Sequence, residues 1–169
     1  MARHAIAAAL AGRAPPALPD VPGAALRRGA FVTLEAQDGD LRGCIGHVLG
    51  DRPLGEVIRQ VAVSSARSDP RFPPVEPGEL TDLRIGISVL SEPVRMTAHD
   101  VDRPVIGRDG LLVRRGGAQA VLLPQVATEH GMGREAFLAA VCRKAGLGPG
   151  AWREPDTLVF TFTADIFVE

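Results

Sequence analysis

The chain has 169 residues, 46% of them hydrophobic, and a formal net charge of −1. That length suits one compact domain burying roughly 70% of its unfolded surface. The balanced charge argues against a nucleic-acid binder, which ordinarily carries a basic excess, and no run approaches the roughly 18 apolar residues that a membrane-spanning helix needs.

The first stretch, residues 4–11, reads as a short Ala-rich helix. It lacks the long apolar core and cleavage site of a signal peptide, so a soluble cytoplasmic setting is expected. Gly12 to Pro22 holds four prolines and is a loop. Gly29 to Glu35 reads as a strand, Gln37-Asp38-Gly39-Asp40 as a hairpin turn, and Leu41 to Leu49 as the returning strand. A helix starts at Pro53, a position where proline is tolerated, and Leu54, Val57, Ile58, Val61, Ala62 and Ser65 give it one apolar face. Ser68 to Val75, rich in proline, ends it. Leu83 to Ser91 alternates as a strand should.

The second half repeats this order. Gly110 to Arg115 and Ala118 to Leu123 form a hairpin about Gly116-Gly117. Helical pieces follow over 124–130 and 134–145, then a strand over 157–162 and a short apolar segment at Ile166 to Val168. Hairpins mixed with helices predict an α+β fold. The expectation is a single domain over 1–169, with an N-terminal helix and loop over 1–28. Two hairpin–helix–strand repeats, about 29–92 and 105–168, would surround one curved, largely antiparallel sheet. Neither a Gly-x-Gly-x-x-Gly nor a Walker loop occurs.

Leu41-Arg42-Gly43-Cys44-Ile45-Gly46 carries the strongest case for chemistry. Glycines admit a ligand or a second backbone, and an arginine favours a thiolate or an anion. Strand alternation puts Arg42, Cys44 and Gly46 on one face and Gly43, Ile45 and His47 on the other. Arg42 therefore assists Cys44 directly, and His47 only if a bulge rotates the chain. The same residues also suit a small packed cysteine where glycines let strands close up. Asp69 and Arg71 follow the first helix, where bracing of the loop is the default reading; their position also leaves them able to fold back near Cys44, with Ser65 and Arg67 at the same helix end completing a small polar pocket. Gln125 opens a helix after Pro124, where an anion finds free N–H groups, although an ordinary connection reads equally well. Cys44 and His47 make a Cys-x-x-His pair, but His4, His99, His130 and Cys142 are too dispersed to complete a zinc site, so no metal is expected. Cys142 falls on an apolar helix face, and His130 reads as a helix C-terminal residue.

Six ordered stretches resemble the AMMECR family, whose prokaryotic members are protein A of the AmmeMemoRadiSam system. They are Gly29-Ala30-Phe31-Val32-Thr33-Leu34, the Leu41 to Gly46 motif, Ser65 to Phe72, Ile87 to Ser91, Leu122 to Ala127, and Cys142 to Leu147. The chain departs from the family pattern at Gly86, where members often carry an acidic residue. It also differs at Met132-Gly133, often Trp-Asp, and at Ala118-Gln119-Ala120, often basic or glycine-rich. The resemblance implies repeated β–α units and partnership with a Memo-like protein and a radical S-adenosylmethionine protein. It also implies a functional surface at Arg42, Gly43, Cys44, Ile45 and Gly46. It names no cofactor and no settled activity. Three readings follow: a cysteine-dependent enzyme or enzyme component, an adaptor or binding module for an unknown small molecule, and an RNA- or DNA-associated protein. The charge balance and the absence of tyrosine weigh against the third.

Overall fold

The computed structural model describes residues 1–97, 100 and 103–169; His99 lies outside them. The chain forms two compact units, Met1–Leu90 with Asp165–Glu169, and Ser91–Ala164.

The first unit begins with helix Ala2–Leu10 (α1), followed by strands Ala30–Glu35 (β1) and Leu41–His47 (β2), helix Leu54–Arg67 (α2) and strand Arg84–Leu90 (β3). β1 lies between β2 and β3 and is antiparallel to both. Its alternation explains this placement. Ala30, Val32 and Leu34 are fully buried on one face, joined by Ile85 of β3 and by Val57, Val61 and Ala62 of α2. α2 thus covers this face of the sheet with the stripe its sequence predicts. Arg3 ties α1 to the loop before β3, donating to the carbonyls of Leu80 and Leu83 at 2.5 and 2.8 Å. The backbones of Ile85 and Glu169 exchange hydrogen bonds of 3.3 and 3.0 Å.

The second unit contains strands Val94–Arg95 (β4), Asp109–Arg115 (β5) and Ala118–Leu122 (β6), then helices Pro124–Glu129 (α3) and Arg134–Lys144 (α4). Strand Leu158–Val168 (β7) closes it, its last residues belonging to the first unit. β5 pairs antiparallel with β6 and β7, and β4 pairs antiparallel with β7. Leu111, Val113, Phe137, Leu138, Val141 and Cys142 make the core of this unit.

The fold is α+β with antiparallel pairing, and each unit has the hairpin–helix–strand order that the sequence predicts. Three details differ. β2 stops at His47 rather than Leu49. β4 is two residues long and too short to leave a periodic signal. The expected strand over 157–162 and the apolar segment at 166–168 are one strand, β7. Thr163-Ala164-Asp165 reads as an interruption, but Thr163 pairs with Asp109 and carries the ladder on.

Candidate functional site

Cys44 lies in β2 opposite Thr33 of β1, which in turn lies opposite Gly86 of β3. Residues opposite one another share a face, so Cys44, Thr33 and Gly86 form one row. Cys44 is partly exposed, and its Sγ lies 3.4 Å from Thr33 Oγ1 in a hydrogen bond that either group can donate.

The peptide of Cys44 is held on both sides by the loop after α2. Its N–H donates to Asp69 Oδ2 at 2.8 Å, and its carbonyl accepts from Arg71 Nη2 at 3.3 Å. Asp69 and Arg71 are themselves locked, Nε to Oδ1 at 2.9 Å and Nη2 to Oδ2 at 2.7 Å, with the Arg71 N–H adding a bond to Oδ1. The Asp69 side chain is 2% exposed, while that of Arg71 is 53% exposed and lies over the Phe72 ring. The Arg71 guanidinium holds the Asp69 carboxyl far below its ordinary range, aided by the Cys44 and Arg71 N–H groups and opposed by burial. Asp69 in return raises the pKa of Arg71, and the charge of a Cys44 thiolate acts in the same direction. Arg71 is thus the arginine whose guanidinium bonds the Cys44 peptide directly.

Ser65 enters from α2. Its hydroxyl accepts from the Ile45 N–H at 2.9 Å and lies 2.8 Å from the carbonyls of Val32 and Val61. Val32 and Ile45 are paired across β1 and β2, so one buried hydroxyl bridges the two strands. The two motif glycines serve packing. A methyl at Gly43 would overlap the carbonyl oxygen of Ser65, and one at Gly46 would overlap the Phe31 ring. At Gly86 a methyl meets nothing nearer than 3.9 Å, so the row beside Thr33 has space.

The structure gathers Gly43, Cys44, Ile45, Ser65, Asp69 and Arg71 as the sequence reading places them. Arg42 is spent elsewhere. The ladder between β1 and β2 shifts register between Leu34 and Glu35, leaving Arg42 as the extra residue of a bulge. Its guanidinium forks onto Glu79 at 3.0 and 3.1 Å and bonds the carbonyls of Pro73 and Pro74. That pairing lowers the pKa of Glu79. His47 lies opposite Ala30, on the other face from Cys44, and its Nε2 is 2.6 Å from Asp51 Oδ1. Arg67 turns to the Ala9 carbonyl. Gln125 belongs to the second unit, at the start of α3, where its side-chain oxygen is buried without a partner. Sequence reasoning passed over Thr33, Phe72 and Glu79. Thr33 was readable, as the polar residue of β1 that hairpin pairing sets opposite Cys44.

Cys142 is fully buried in α4, and burial pushes its thiol up. Among the described residues no group of three or more His, Cys, Asp or Glu side chains is placed to hold a metal ion. No helix among them is long and apolar enough to cross a membrane.

A sequence model of the AMMECR1 family matches residues 1–167. A protein of Methanothermobacter thermautotrophicus is 47% identical over an alignment covering all of this chain and 91% of that relative. Protein TK0174 of Thermococcus kodakarensis is 46% identical, over 85% of this chain and 73% of its own length. The crystal structure of an uncharacterised Pyrococcus horikoshii protein, PH0010, superposes with a TM-score of 0.93 at 40% identity. It covers 99% of this chain and 87% of its own. With the match running through both units, the chain belongs to the AMMECR1 family.

Proposed function

We propose that Cys44 is a working thiol and that this protein serves an AmmeMemoRadiSam-type modification or redox pathway in the cytoplasm. Its partners there are a Memo-like protein and a radical S-adenosylmethionine protein. The observation that supports the reading is the asymmetry of the clamp. The backbone of Cys44 is held on both sides by the Asp69–Arg71 pair, while its side chain stays partly exposed beside a hydroxyl and within reach of a guanidinium. A cysteine present only for packing needs none of these and gains most from full burial, as Cys142 has. In this reading Arg71 stabilises the thiolate or an anionic group delivered to it, Thr33 orients the sulfur, and Arg42 shapes the loop that carries Arg71.

The test is alkylation of the folded protein as a function of pH, with Cys142 as the internal control. Cys44 is expected to label much faster than Cys142, and Arg71→Gln is expected to slow that labelling. Intact mass recorded beforehand reveals any adduct already carried on Cys44. If Cys44 labels as slowly as Cys142, it is a packing residue and the proposal fails.

A further inference from the structure

The second unit contains a cavity of about 580 Å³ that plays no part in the reading above. That volume is typical of small-molecule sites, which are mostly apolar with a few polar groups. Met96, Leu138 and Val159 are buried in its lining, and Trp152, the only tryptophan of the chain, is a partly buried part of the same lining. Two polar side chains among the lining residues lack partners. Thr157 is 8% exposed, and its hydroxyl makes no hydrogen bond. The Arg95 guanidinium has no hydrogen bond or ion pair among the described residues.

Burying a hydroxyl without a partner is unfavourable, and native structures rarely leave one so. One χ1 step exchanges the hydroxyl of Thr157 with its methyl, so the group can serve a guest in the cavity without any backbone change. The lining also carries Glu154, whose carboxylate pairs with Arg115, and Arg153, which pairs with Glu135. The Arg153 guanidinium lies over one face of the Trp152 ring, 3.8 Å from its centroid, so a flat aromatic guest packs on the remaining face or edge of the indole and against the Met96 sulfur. An unpaired guanidinium suits a carboxylate.

We infer that this cavity binds a small aromatic acid of one or two fused rings, held by Trp152, Met96 and Leu138, with Thr157 and Arg95 on its polar groups. The site is independent of Cys44.

Because the chain has one tryptophan and no tyrosine, Trp152 is a built-in reporter. The experiment follows the single indole N–H resonance of the 15N-labelled full chain while quinoline-4-carboxylate or quinoline-4-carboxamide is added. The carboxylate is expected to give a saturable shift with a Kd of about 1 mM or tighter, and the amide to bind about tenfold more weakly. Thr157→Val, which keeps the side-chain shape, is expected to weaken both ligands. Arg95→Gln, at an exposed position, is expected to remove the preference for the carboxylate. Melting curves of both variants establish that they are folded. The proposal is overturned by a shift that never saturates, or by a saturable shift that neither substitution changes, which marks adventitious surface binding. Rapid alkylation of Cys44 is unaffected by either result, so this inference and the thiol reading fail separately.

Discussion

At the scale of single residues, the glycines of the cysteine motif have unequal duties. Gly43→Ala pushes a methyl into the Ser65 carbonyl, a backbone group that cannot swing aside as a flexible side chain would. It is expected to cost about 3 kcal/mol or more and to lower the melting temperature sharply. Gly86→Ala meets only ordinary contacts and restricts the unfolded chain, so it is expected to be neutral or to stabilise by about 0.5–1 kcal/mol. Equal melting temperatures for the two variants would contradict the packing account. Asp69 gives a pH signature. Its carboxyl is held below its ordinary value in the folded state. The stability it contributes is complete above about pH 4 and is lost as pH falls through the folded-state value. The advantage of the wild type over Asp69→Asn in denaturant melts is therefore expected to be constant near neutrality and to shrink below about pH 4. An advantage unchanged down to pH 2 would mean that the Asp69 charge does not support the fold.

At the scale of elements, β2 joins the rest of its unit through unusual contacts. Its Cys44 N–H is capped by a carboxylate and its Ile45 N–H by a serine hydroxyl. A side chain occupying an edge donor also blocks addition of a foreign strand there. Ser65→Ala removes the bridge between Ile45 and Val32 and leaves buried polar groups unpaired. It is expected to cost about 1–3 kcal/mol and to speed amide exchange at Ile45 before the rest of β2. Exchange at Ile45 as slow as in the wild type would show that strand pairing alone protects it. The bulge at Arg42 is the other departure from a regular ladder, and it sends that guanidinium to Glu79.

At the scale of the whole molecule, each unit closes a hydrophobic core of its own, around Leu34 and Ile85 in one and Phe137 and Leu138 in the other. Phe137→Ala is expected to cost about 3–5 kcal/mol, with amide exchange rising first within residues 91–164. An equal, simultaneous rise in both units would indicate one shared core. The helices, the hairpins, the α+β class and the place of the cysteine motif were all legible in the sequence, because periodicity and turn chemistry are local. The position of Asp69 and Arg71 just after α2 leaves them able to fold back near Cys44, but the sequence does not choose between that and bracing of their own loop. What only the tertiary structure decided is which arginine lies against Cys44. Arg42 is two residues from Cys44 in sequence, yet a bulge turns it to Glu79, and Arg71 takes its place across the loop. Hydrogen bonds between distant segments settle that exchange, and strand periodicity carries no record of them. The unpaired Thr157 hydroxyl beside the second unit's cavity has the same origin, for a missing partner appears only once every neighbour is in place.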